Sequence, residues 1–209
     1  MGAWGPDMAD AREDAVQGYF GRSRDLLDQA ASDREFLSTV TSIASRISQA
    51  LREGGKLLIA GNGGSAADAQ HVAAEFLSRF ALDRNPLPAI ALTTDSSVLT
   101  AIGNDYGFDR IFERQIRGLG RRGDLFLALS TSGRSANVLA ALKAAREIGL
   151  TTIGFTGAKS PDMRALCDLV LAVPSEETAL IQQIHITAFH AICSIVEREL
   201  FDGSPVSKG

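Results

Sequence analysis

Within the stretch AGNGGSAADAQHVAAEF, His71 and Glu75 stand four residues apart. On a helix that spacing puts both on one face. An imidazole and a carboxylate placed so can ligate a divalent ion such as zinc, or pass a proton. The same spacing also describes an ordinary solvated helix pair, which is common and worth little. Context separates the two. The pair follows Gly61-Asn62-Gly63-Gly64-Ser65, where glycines let backbone N–H groups approach an anion and Ser65 can cap the next helix. A second loop, Ser130-Thr131-Ser132-Gly133-Arg134-Ser135, follows the apolar run LFLAL and brings hydroxyls and amides to another helix start. Neither is a nucleotide P-loop, because no lysine follows the glycines. Gly61, Gly63 and Ala66 fit a relaxed dinucleotide fingerprint, but Asp95 comes too late for the ribose-binding acid. Hydroxyl-rich phosphate loops favour a sugar phosphate that is held and released.

Two more histidines, His185 and His190, lie in an apolar segment near the C-terminus, behind Gln182 and Gln183. Polar groups there must be satisfied, either as hydrogen-bonded core or interface residues or as the lining of a site. At about 100° per residue, Gln182 and His190 are ~80° apart around a helix and Gln183 and His190 only ~20°. Spacing alone therefore selects Gln183 as the partner of His190.

The elements that must position these residues follow from periodicity. Helical spacing covers about 9–31, and Ser32-Asp33-Arg34-Glu35 reads as a capping box opening a second helix that Gly54-Gly55 stops. Short apolar runs then alternate with helices. The runs are 56–60, 89–93, 125–130, 152–155 and 169–173, with helices at about 66–80, 97–102, 110–119 and 137–148, and a last one at about 176–200. Continuous apolar strands separated by helices mean a parallel sheet covered on both faces. In such sheets ligands sit beyond the carboxyl ends of the strands, where both loops fall.

Composition narrows the class. With 209 residues, 45% of them hydrophobic, one domain with a full core is expected. We divide it into a loose start at 1–8, leading helices at 9–54, an α/β core at 55–201 and a frayed tail at 202–209. A net charge of −4 argues against nucleic-acid and acidic-membrane partners. Cys167 and Cys193 fit no metal or disulfide spacing and read as buried free thiols. No apolar run reaches the ~20 residues of a membrane helix. The start, MGAWGPDMADARED, lacks the order of a secretory signal, so a cytoplasmic location is expected.

In order along the chain, GNGGSAADAQHVAAEF, AIGNDYGF, STSGRSANV and IQQIHITAFH resemble the phosphoheptose isomerases, or sedoheptulose-7-phosphate isomerases, of the sugar-isomerase (SIS) superfamily. The resemblance covers nearly the whole chain. The two loops are shared across the superfamily; the combination of His71, Glu75, Gln182 and His190 is specific. It implies a three-layer α/β/α sandwich with a five-stranded parallel sheet, one SIS domain, and a homotetramer with sites near subunit interfaces. The implied reaction converts sedoheptulose 7-phosphate to D-glycero-D-manno-heptose 7-phosphate through an enediol, the first step toward the heptose of lipopolysaccharide or related surface glycans. By the same resemblance, His71, Glu75, Gln182 and His190 match ligands of one zinc ion (Zn2+) per subunit, so that Gln182 replaces the Gln183 that spacing selects. Asn62, Gly63, Gly64, Ser65, Asn104 and Asp105 match substrate-binding positions, with Glu75 and Gln182. Ser130, Thr131, Ser132 and Ser135 match the phosphate loop, and Glu75 and His190 the acid/base pair. Some members carry an acid three residues before the metal-binding glutamine; this chain has Ala179.

Three other functions compete. Some relatives are non-catalytic tetramers that bind a replication initiator protein, but they lack the residues equivalent to Glu75 and His190. Sugar-phosphate-responsive regulators carry an added helix-turn-helix domain. Isomerases of pentose or hexosamine phosphates share the loops and not the metal set.

Overall fold

The computed structural model describes residues 6–201, with side chains from position 10 onward. The expected frayed tail at 202–209 and the first five residues of the expected loose start lie outside these. Residues 6–8 do not form a loose segment. Helix α1 (Pro6–Ser32) begins there, with a proline at its first turn, where a missing N–H costs nothing.

The chain continues through α2 (Arg34–Arg52), β1 (Leu57–Gly61), α3 (Gly64–Leu77), β2 (Ala89–Ala91) and α4 (Ser96–Tyr106). A single 3-10 turn (Phe108–Arg110) leads to α5 (Ile111–Leu119), β3 (Leu125–Ser130), α6 (Ala136–Ile148) and β4 (Thr151–Thr156). Last come α7 (Pro161–Arg164), β5 (Leu169–Ala172) and α8 (Thr178–Phe201). All five strands are parallel, in the order β2-β1-β3-β4-β5.

Every residue of β1 and β3 is buried, as expected of strands covered on both faces. Strand alternation then builds two cores. Leu57, Ile59, Leu125, Leu127 and Leu129 pack with α1, α2, α3 and α8. Leu58, Ala60, Phe126 and Ala128 pack on the other face with α5, α6 and α7. The result is the expected three-layer α/β/α sandwich. Helix α8 is long enough, and over 18 of its residues apolar enough at a mean hydropathy of 1.5, to cross a membrane by length and composition alone, although Gln182, Gln183, His185 and His190 interrupt its apolar runs. Here it packs into the first core, where Phe189 stacks on Phe155 of β4 at 4.2 Å.

Three local expectations change. Ser32 does not cap α2: its hydroxyl bonds back to Asp28 O inside α1, and Asp33 caps instead, accepting from Glu35 N and Phe36 N. Edge strand β2 is shorter than the run suggests and ends at Ala91; beyond it the Thr93 and Thr94 hydroxyls bond the carbonyls of Ala66 and Ala91. Helix α4 runs on to Tyr106, through Asn104 and Asp105. Cys167 and Cys193 are free; Cys193 is buried and Cys167 only half-buried.

Candidate active site

β1 and β3 are neighbours, with Gly61 paired to Leu129, while β2 lies on the opposite side of β1. Successive connections therefore leave β1 in opposite directions, which makes the carboxyl ends of β1 and β3 the switch point where open α/β sheets place their ligands. The two loops expected to hold phosphate leave the sheet at this point. In the first, Gly63 turns the chain into α3 with φ of 56° and ψ of −123°, a conformation that side chains disfavour. No side chain of the described residues caps α3 and no acid occupies its first turn, which leaves the positive end of the helix uncompensated. Ser65 does not act as the cap, because the helix already begins at Gly64; it is buried within the first turn.

The second loop folds on itself. Ser130 Oγ lies 3.0 Å from Ser135 Oγ, Gly133 N donates to Ser130 O, and Arg134 N donates to Ser132 Oγ. Ser135 is the N-cap of α6 without making a side-chain cap bond. Gly133, at φ of 63°, is required twice over, since an added Cβ would sit 2.3 Å from Ser160 Cβ. The loops are joined by a cyclic amide pair: Asn62 Nδ2 donates to Asn137 Oδ1 and Asn137 Nδ2 to Asn62 Oδ1, both at 2.9 Å. Asn137, buried in the first turn of α6, has no counterpart in the sequence reading. Its only signal there is its place just after the serine loop.

Along α3 the histidine–glutamate pair forms as its spacing requires: His71 Nε2 lies 3.0 Å from Glu75 Oε1. His190 comes from α8 to complete the group, its ring edge-on to His71 with centroids 5.2 Å apart. One donor atom from each of His71, Glu75 and His190 falls within 4.8 Å of the others. Phe80 stands beside His190, with ring centroids 5.5 Å apart. The side chains of His71 and Glu75 are 45% and 22% exposed, so the group opens to solvent. Two nitrogens and a carboxylate in this spread fit a metal with ~2.1 Å bonds after small side-chain rotations. Asp68, one turn before His71, adds a partly buried carboxyl. Burial pushes its pKa up, against the pull of His71.

The sequence matches the SIS domain family over residues 18–157. It is 55% identical over 193 residues to a phosphoheptose isomerase from Bradyrhizobium sp. (strain BTAi1), covering 92% of this chain and 98% of that one. The chain belongs to the phosphoheptose isomerase family. A phosphoheptose isomerase from Burkholderia pseudomallei (strain 1710b) is 53% identical over 81% of this chain and 86% of its own. Among solved structures, phosphoheptose isomerase GmhA from Neisseria gonorrhoeae superposes with a TM-score of 0.83 at 43% identity, over 88% of this chain and 98% of that one. The Francisella tularensis enzyme gives a TM-score of 0.85 at 35% identity, over 90% and 98%.

Other positions assigned from the phosphoheptose isomerase resemblance fall in two places. Gln182 lies at the start of α3: its Nε2 is 3.5 Å from Ser65 Oγ, and a Cβ on Gly64 would meet that nitrogen at 2.6 Å. Asn104 and Asp105 sit exposed near the end of α4, where Asn104 Nδ2 donates to Asp105 Oδ1 at 2.8 Å. Spacing fails for Gln183, whose amide turns away to Tyr19 Oη on α1 at 3.1 Å. Of the alternatives open for His185, the structure shows the hydrogen-bonded core residue: it is fully buried, its Nε2 3.3 Å from Thr156 O beneath the second loop.

Proposed function

We propose that this chain is a ketose–aldose isomerase that interconverts sedoheptulose 7-phosphate and D-glycero-D-manno-heptose 7-phosphate. The observation that carries this, in a phosphoheptose isomerase family chain, is the meeting of His190 with His71 and Glu75, which lie on a helix that opens from the glycine-rich loop. The phosphate would bind the hydroxyls of Ser130, Thr131, Ser132 and Ser135 and the open end of α6. Asn62, Gly63, Gly64 and Ser65 would line the sugar, with Asn104 and Asp105 reaching a substrate only across a subunit contact. His71 lies seven residues into α3, about 10 Å along its axis, a span an extended heptose phosphate can cross.

Carbonyl transfer from C2 to C1 needs a proton removed from C1, an enediol held, and a proton returned to C2. Glu75 is positioned to take and return the carbon-bound proton. Its Oε1 is held by His71, and its second oxygen has no hydrogen-bond donor among the described residues. His190 would pass the proton between O1 and O2. His71, Glu75 and His190, with Gln182 reoriented from Ser65, would hold one zinc ion. An ion bound there would supply charge stabilisation to an oxygen of the enediol.

A homotetramer is supported by apolar side chains left facing solvent. Val16, Phe20, Tyr106 and Phe108 are 58%, 70%, 56% and 63% exposed, and α4 buries no residue in this chain. One SIS domain over 1–209 is supported by two cores sharing a single sheet. A cytoplasmic site follows from a doubly charged substrate that does not cross membranes. The initiator-binding alternative gains nothing, since Glu75 and His190 are present and convergent. The test is turnover of sedoheptulose 7-phosphate by purified protein, with zinc added and after chelation. Aldoheptose 7-phosphate that falls on chelation is expected; a folded protein giving none in either condition overturns the proposal.

A further inference from the structure

Behind the triad lies a buried ion pair that takes no part in the chemistry above. Arg84, in the loop between α3 and β2, and Glu197, on α8, are each 2% exposed at the side chain and meet at 2.8 Å. The same carboxylate accepts three successive backbone N–H groups, from Phe80 at 2.8 Å, Ala81 at 2.9 Å and Leu82 at 3.0 Å. The guanidinium also donates to Glu75 O at 2.8 Å, Phe76 O at 2.9 Å and Asn85 O at 3.1 Å. The first two are carbonyls that the end of α3 leaves without helical partners. A cation there also suits the helix dipole.

Such a pair is weak evidence for stability, because desolvation offsets its attraction and apolar residues of equal volume can serve folding as well. Directional bonds add something to packing, because they are made at one register of the joined segments and lost at others. Here they tie the end of α3, the following loop and α8 together. That register matters because α3 carries His71 and Glu75 while α8 carries His190. Glu197 lies seven residues after His190, on the same helix face. Arg84 grips the carbonyl of Glu75 itself, and the loop sets Phe80 against His190.

We propose that Arg84 and Glu197 are positioning residues of the active site. They seat α8 against the end of α3 so that Glu75 and His190 keep the separation that metal binding and proton transfer need. This rests on the function proposed above, so the test carries a readout independent of turnover. Zinc affinity is measured on the full chain by competition with a chromophoric chelator, alongside kcat and KM. Glu197→Gln keeps volume and removes the charge; Arg84→Lys keeps charge and loses the planar fork. Each is expected to weaken zinc binding about tenfold or more and to lower kcat while KM moves less than about threefold. Leu142→Ala, a cavity in the opposite core, is expected to lower stability and leave zinc affinity and kcat unchanged.

Folded Glu197→Gln and Arg84→Lys proteins with wild-type zinc affinity and kcat overturn the proposal. So does an equal loss of affinity in Leu142→Ala, or failure of both pair variants to fold. Should one of them fail to fold, the other decides. Wild-type protein that binds zinc yet isomerises no heptose phosphate defeats the proposed reaction and not the positioning role, which metal affinity still reads.

Discussion

Acidification should weaken this protein through one imidazole that takes no part in the proposed chemistry. His185 is fully buried on α8, and its Nδ1 has no hydrogen-bond partner among the described residues. Burial pushes its pKa down from 6.5 to about 4, against a smaller upward pull from the Thr156 carbonyl. The sign follows directly. Below pH 6.5 the unfolded chain takes up a proton that the folded chain refuses until about pH 4. The stabilising contribution is therefore full above the unfolded value and is lost as pH falls through that window. With one pKa unit worth about 1.36 kcal/mol, the two titration curves give a loss of about 2 kcal/mol between pH 7 and pH 5. Urea denaturation at both pH values, at one protein concentration, reads it. Comparison with His185→Gln cancels every other titrating group and the variant's own loss of packing. Wild type should lose about 2 kcal/mol more than the variant over this interval. Parallel pH dependences would refute the buried neutral histidine.

Three further outcomes follow from the site. Glu75→Gln should lower kcat at least about a hundredfold while circular dichroism shows a folded protein, because a positioned base supplies about 10^2- to 10^4-fold; near-normal turnover would remove Glu75 as the base. Ser132→Ala should raise KM up to about tenfold and leave kcat nearly unchanged, since a phosphate contact is worth the same in ground and transition states; the reverse split would place the loop at the reacting end. Gly64→Ala should raise KM or lower kcat with little loss of stability, because its Cβ would press on the end of a side chain, Gln182 Nε2 at 2.6 Å. Unaltered kinetics would show that Gln182 can move aside at no cost.

The sheet was legible because β1 and β3 are buried on both faces, which forces the continuous runs LLIAG and LFLALS. The places of the two loops were legible because tight strand-to-helix turns demand glycine, at Gly63 and Gly133 with positive φ. The His71–Glu75 pair was legible because a single helix fixes its geometry. What stayed hidden depends on contacts between distant segments. Gln183 looked better placed than Gln182 on a helical wheel, but a wheel of α8 alone cannot show that α1 brings Tyr19 to it. Asn137 reads as an ordinary residue of a helix start until Asn62 is seen opposite. Arg84 and Glu197 are 113 residues apart and look like two surface charges in the sequence. Helix α7, at four residues, is too short for any periodicity to mark it.

The central claim is that Glu75 moves a proton between carbons through an enediol. Its most direct test is isomerisation of sedoheptulose 7-phosphate in deuterium oxide, with the product read by mass spectrometry and NMR. Glu75 is 22% exposed at the side chain, so a proton held on it can exchange with solvent before it returns. The aldoheptose product should carry deuterium at C2. Protium fully retained at C2 even after the reaction has cycled many times at equilibrium in deuterium oxide is the outcome of direct hydride transfer from C1, and would contradict the role assigned to Glu75.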